Sequence, residues 1–153
     1  MFYLGQQSQE RLEGLDPGLV KCVRRAITQT SVDFSVFEGM RSRTRQEQLY
    51  REGVSRTLDS YHLTGHAVDL VPFIGGRLQW QAAACCQVAI AMREAAQEFK
   101  VEVTWGGVWD RLLTQLDPVI LQKEIDHYVG RYRAARGPDH HPLIDYPHFQ
   151  VKR

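Results

Sequence analysis

Two short stretches of the chain carry side chains whose types and spacing suit metal-assisted hydrolysis. The first is Ser60-Tyr61-His62-Leu63-Thr64-Gly65-His66-Ala67-Val68-Asp69, in which six residues separate His62 from Asp69. A turn at Gly65 would fold the His-bearing segment against a strand that carries Asp69, so that both side chains reach one ion. Neutral imidazole and carboxylate are both good zinc donors. Taken alone, His-x6-Asp is a spacing that chance produces often. The second stretch, Asp145-Tyr146-Pro147-His148-Phe149, strengthens it. With His148 as third ligand the site has three protein donors and one open position. That is the arrangement of a catalytic zinc, whose bound water has its pKa lowered toward ~7. Asp145, three residues before His148, could lie beside that water as general base.

Other polar residues have a plain reading beside a functional one. Arg41 is either a surface arginine after a turn or a fixed cation that binds a substrate carboxylate or steadies an oxyanion. Gln46 lies in an Arg/Gln run that also reads as a solvated helix start. Ser60 either hydrogen-bonds to a metal ligand or substrate, or ends a loop. His66 is nearer Asp69 than His62 is, but residues three apart on a strand point to opposite faces, so it reads as a flanking surface residue. His140 and His141 are adjacent in a loop, where two rings cannot easily share one ion, and His127 reads as surface or core. Trp105, Trp109 and Asp110 follow a strand end. They could wall a cleft, or serve core packing and a capped helix start.

The elements that must position these groups follow from periodicity and punctuation. Ser8 could cap a short helix through residue 15, and Asp16-Pro17 restarts a second with Asp as cap and Pro at its first position. Val20, Val23, Ala26 and Ile27 share one face of it. Residues 33–37 (DFSVF) switch to period two, a strand that Gly39 breaks. Residues 44–52 read as a helix with Leu49 and Tyr50 inward, 54–61 as loop, and 62–72 as a turn at Thr64-Gly65 followed by the strand AVDLVP. Gly75-Gly76 closes a hairpin, since paired glycines supply the positive φ values of tight turns. Residues 80–100 form the clearest helix, 101–105 a strand, and 112–136 a mostly helical stretch broken near Asp117-Pro118. After a loop at 137–142, residues 147–151 form a terminal strand. The order gives an α+β fold, one domain over residues 1–153, with a small, mainly antiparallel sheet, flanking helices and the metal site in a cleft on the sheet.

Bulk composition bounds the rest. With 153 residues, 43% hydrophobic and 24% charged, the chain can bury a real core, and its net charge of +1 gives no argument for nucleic acid as a partner. The three cysteines, Cys22, Cys85 and Cys86, suit buried reduced thiols better than a disulfide framework. Residues 1–10 lack the basic and apolar regions of a signal peptide. No apolar run approaches the ~20 residues of a membrane span. A cytoplasmic protein without stable membrane association is expected.

The combination of SxHxxGxAxD, a late [DE]xxH and an early GxR resembles the zinc peptidases related to D-Ala-D-Ala carboxypeptidases and to the L-alanyl-D-glutamate endolysins of tailed phages. The resemblance extends through LGQQSQERLEGLDPGLVKCVRRAI and VDFSVFEGMRSRTRQEQLYREG. It implies one zinc ion on His62, Asp69 and His148, Asp145 as general base, and a GxR-Q segment matched by Arg41 and Gln46, in which the Arg faces the substrate and Gln46 is a further substrate-binding candidate. Carboxypeptidase and dipeptidase relatives usually carry Glu at the base position and Trp before the last His. This chain has Asp145 and Pro147, and the Asp favours the Ala-Glu group. Residues 111–141 are longer than the pattern expects. The implied activity is hydrolysis of the L-Ala–D-Glu bond of the peptidoglycan stem peptide by a monomeric endolysin. It would wait in the host cytoplasm until a separate holin permeabilises the membrane, then act on the wall in the periplasm. A D-Ala-D-Ala carboxypeptidase or dipeptidase is the alternative enzyme. A zinc-stabilised binding module without catalysis is the alternative of another class.

Overall fold

The structure, a computed structural model, describes residues 1–153. Helix α1 (Gln6–Arg11) leads into α2 (Pro17–Gln29). The Asp16 carboxylate accepts from Leu19 N at 3.0 Å and Pro17 opens the helix, as its sequence signals require. Its apolar face buries Leu19, Cys22, Val23, Ala26 and Ile27. Strand β1 (Phe34–Glu38) follows, and with it comes a correction. Ser8 is not a helix cap: it sits inside α1, which stops at Arg11, and its hydroxyl accepts from Val36 N of β1 at 3.0 Å. Helix α3 (Arg43–Arg51) is capped by Ser42, and it buries Leu49 while leaving Tyr50 46% exposed, so the two do not face inward together.

Strand β2 (Ala67–Ile74) and the short β3 (Arg77–Leu78) form the hairpin, with Gly75 and Gly76 at φ +61° and +77°. Helix α4 (Ala82–Phe99) begins after Trp80, which stays 48% exposed, and β4 (Val103–Trp105) follows. Two 3-10 turns, Leu113–Gln115 and Pro118–Ile120, occupy the start of the expected helical stretch before α5 (Leu121–Arg136). Pro118 supplies no N–H at the point where a continuous helix would need one. Strand β5 (His148–Val151) ends the fold.

The sheet order is β1-β2-β5-β4, with β3 paired to the outer end of β2, and every pairing is antiparallel. Side chains alternate across it. Phe34, Val36, Val68, Leu70, Val103, Trp105, Phe149 and Val151 join α2 and α4 in one apolar cluster. The intervening residues Asp69, His148 and Gln150 therefore fall on the opposite face. Register completes the placement, because Asp69 stands directly across from His148 and, on its other side, across from Glu38. A bulge between Val36 and Glu38 resets β1 at that point.

Candidate metal centre and cleft

Asp69 and His148 meet across β2 and β5, and His62 is brought to them by a 3-10 turn over Tyr61–Thr64. Ser60 caps that turn by accepting from His62 N at 3.2 Å, and Gly65 closes it at φ +74°. A Cβ on Gly65 would lie 2.6 Å from the Gly14 carbonyl oxygen, so the turn needs glycine for space as well as for φ. The Ser60 hydroxyl thus bonds the backbone of His62, one of the candidate ligands, and caps the turn that carries it.

Asp69 Oδ1 lies 3.3 Å from His62 Nε2 and 3.3 Å from His148 Nδ1, and the three donor atoms fall within 4.8 Å of one another. Each imidazole is oriented from behind. His62 Nδ1 meets the Gly39 carbonyl at 2.9 Å, so it donates there and leaves the Nε2 lone pair facing inward. His148 Nε2 meets Gln150 Oε1 at 2.9 Å; with the amide oxygen accepting, Nδ1 is free to face the centre. His62 Nε2 and Asp69 Oδ1 are buried and make no hydrogen bond. Buried polar atoms are almost always satisfied, and a divalent cation between these donors would satisfy them. The donor set fits a zinc ion. Burial opposes ionisation of Asp69, but the facing imidazoles of His148 and His62 outweigh it and hold its carboxyl well below the ordinary range. Burial likewise opposes protonation of His148, yet Asp69 and then Asp145 raise its pKa.

Asp145 stands at the rim, with Oδ2 3.9 Å from His148 Nδ1 and its side chain 44% exposed. Burial and then the Asp69 charge raise its pKa, against the pull of His148, His62 and Arg41. Backbone bonds fix it: Asp145 N donates to Gly106 O at 2.9 Å, and His148 N donates to Asp145 O at 3.1 Å. Trp109 lies against His148, ring centroids 5.2 Å apart, and its indole N–H is held by Leu143 O at 2.9 Å, so it walls the cleft. Trp105 instead is fully buried in the core.

Arg41 and Gln46 are placed differently from each other: Arg41 lines the cleft, whereas Gln46 lies behind it. Arg41 binds Glu38 through Nε at 2.8 Å and Nη2 at 2.7 Å, gives Nη1 to Gln46 at 2.7 Å, and comes within 3.9 Å of Asp69. Its side chain is only 9% exposed, and its charge is matched by Glu38. Gln46 is fully buried and passes its amide to Ser55 Oγ at 2.8 Å and Thr57 O at 2.6 Å. It organises the site from within. The remaining histidines stay out of the centre: His66 meets the Thr64 hydroxyl, His127 meets Glu124, His141 accepts from Arg133, and His140 is exposed. Asp110 is paired with Arg131 at 2.8 and 2.9 Å. Sequence reasoning missed Gln150, although period two from His148 along one strand face could have found it. It also missed Glu38 and the Gly39 carbonyl, whose positions depend on the bulge in β1.

These groups line a cleft of about 540 Å³ on the sheet face away from α2 and α4. Two buried histidines and a half-buried aspartate that could hold a metal ion, beside a partly exposed carboxylate in an open cleft on an antiparallel sheet, are the groups that metal-assisted hydrolysis uses. Comparison with known proteins narrows the reading. The family model described as phage L-alanyl-D-glutamate peptidase matches residues 1–127. The L-alanyl-D-glutamate peptidase of Escherichia phage T5 is 31% identical over 113 residues, 71% of this chain and 82% of that protein. The crystal structure of Serratia marcescens L-Ala D-Glu endopeptidase ChiX has a TM-score of 0.73 at 36% identity, covering 98% of this chain and 90% of that one. The chain belongs to the phage L-alanyl-D-glutamate peptidase family.

Proposed function

We propose that this chain is a zinc-dependent endopeptidase that hydrolyses the L-Ala–D-Glu bond of the peptidoglycan stem, as an endolysin. In this reading His62, Asp69 and His148 hold the ion and Asp145 is the general base. The observation that carries it is the pair of buried, unbonded donor atoms, His62 Nε2 and Asp69 Oδ1, facing His148 Nδ1 beside the open carboxylate of Asp145. The choice of bond is supported by the activities named for the phage T5 protein and for ChiX. A bound zinc ion would supply Lewis acidity toward the scissile carbonyl and bring the acidity of water toward neutral pH. Asp145 then takes the proton of the attacking water and passes it to the leaving amine. Its raised pKa moves it toward the operating pH, where a carboxylate is the better base. Asp69 stays ionised, while Gly39 and Gln150 keep the two rings turned inward. Arg41 and Glu38 form a neutral support beneath Asp69.

No helix of the chain is long and apolar enough to cross a membrane. Passage to the wall through a separate membrane-permeabilising protein of the holin type, and action as a monomer, complete the proposal. The test is lysis of cells with a permeabilised outer membrane. Exhaustive chelation should abolish it and zinc should restore it. Full lysis by protein shown metal-free by elemental analysis would refute the reading.

A further inference from the structure

An L-Ala–D-Glu substrate brings one carboxylate beyond the carbonyls used in its linkages, and a guanidinium group in the cleft would match it in charge and geometry. Three arginines line the cleft: Arg41, Arg45 and Arg56. Arg41 is occupied, with two nitrogens on Glu38 and one on Gln46. Arg56 is exposed and makes neither an ion pair nor a side-chain hydrogen bond, and the side-chain contact of Arg45 is a long one to Gln48 at 3.5 Å. The nearby cleft residue Asp59 does not neutralise them, because both its oxygens are taken by Arg153 at 2.8 Å.

The loop that carries Arg56 is fixed relative to the metal centre. Gln46 bonds Ser55 and Thr57, the two residues flanking Arg56, and Gln46 itself follows Arg45 in α3. Through its other end Gln46 holds Arg41, which abuts Asp69. One polar chain thus runs from the centre to the backbone segments that carry the two unpaired arginines. Resting on the peptidase reading above, we propose that Arg56, assisted by Arg45, reads the free carboxylate of the D-Glu residue and sets the enzyme's preference for an acidic residue after the scissile bond. The reason Gln46 is buried is then to register this loop.

Two synthetic peptides separate the roles. Both contain L-Ala–D-Glu and continue through the D-Glu side-chain carboxyl. One keeps the α-carboxylate, and its twin carries the α-carboxamide, nearly the same in shape but neutral. The wild-type protein with zinc should favour the carboxylate in kcat/KM by roughly ten- to a hundredfold, the scale of one charge-assisted hydrogen bond. Arg56→Ala should bring that ratio toward one, chiefly through KM on the acidic peptide. Arg56→Lys should keep part of it, and Arg45→Ala should lower it less. A merely structural role would slow both peptides alike and leave the ratio intact. An undiminished ratio in the Arg45→Ala, Arg56→Ala double variant, or no preference in the wild type, overturns the inference. Failure of the wild type to cut either peptide would instead overturn the peptidase reading, and this inference with it.

Discussion

The donor faces of His62 and His148 are chosen by acceptors that do not touch the centre, the Gly39 carbonyl and Gln150 Oε1. Losing such an outer partner typically costs ten- to a hundredfold in metal affinity. Gln150→Leu should therefore weaken zinc binding by roughly that factor, read by competition with a chromophoric chelator, and an unchanged affinity would rule out the orienting role. Asp145 and Asp69 should part company when each becomes Asn. Asp145→Asn should keep its zinc while its rate falls by about two to four orders of magnitude, the scale of lost general-base catalysis. Asp69→Asn should lose zinc and recover part of its activity when zinc is raised. Zinc stoichiometry beside turnover distinguishes them, and a zinc-free Asp145→Asn protein would remove Asp145 from the base role. The residue types of this centre were readable from spacing and resemblance. Gln46 was readable as important but not as buried, because nothing local distinguishes an amide facing a ligand from one tying two segments together.

Among the elements, legibility followed locality. The Asp16-Pro17 helix start, the Gly75-Gly76 hairpin and the alternating strands are set by neighbours in sequence, and they stand where their patterns place them. Ser8 looked like a cap, but its partner, Val36 N, is 28 residues away. The bulge in β1 is likewise a product of tertiary pairing, whereas the 3-10 turn that carries His62 is set locally by Ser60 and Gly65. Two glycines test how tightly the elements hold the site. A Cβ on Gly106 would lie 2.1 Å from Asp145 O, inside any tolerable contact, so Gly106→Ala must push the Asp145 segment outward. It should lower both thermal stability and turnover. Gly130, inside α5, has nothing within 4 Å of such a Cβ, and Gly130→Ala should stabilise by up to about 1 kcal/mol through helix propensity with activity intact. Thermal melts and peptide turnover on both variants check the pair, and equal behaviour would contradict the close approach at Gly106.

Across the molecule, one core faces the helices and one catalytic face turns away from them, so stability and chemistry can be probed apart. The three thiols belong to the core. Burial pushes Cys22 to about 11, Cys85 to about 12 and Cys86 to about 11. Raised folded-state values stabilise fully below the unfolded thiol pKa of ~8.5, and that contribution is lost as pH rises through the folded values. Melting temperature should therefore fall between about pH 8.5 and 11, and iodoacetamide at pH 8 should label the thiols only after denaturant is added. Rapid labelling of the native protein would place them elsewhere. The bond itself is decided by digesting purified peptidoglycan with the zinc-loaded protein and identifying the new termini by mass spectrometry. The expected products carry a new N-terminal D-Glu and a new C-terminal L-Ala, formed with zinc and not after chelation. Release of free D-Ala or of D-Ala-D-Ala, with the L-Ala–D-Glu bond intact, would contradict the proposed activity.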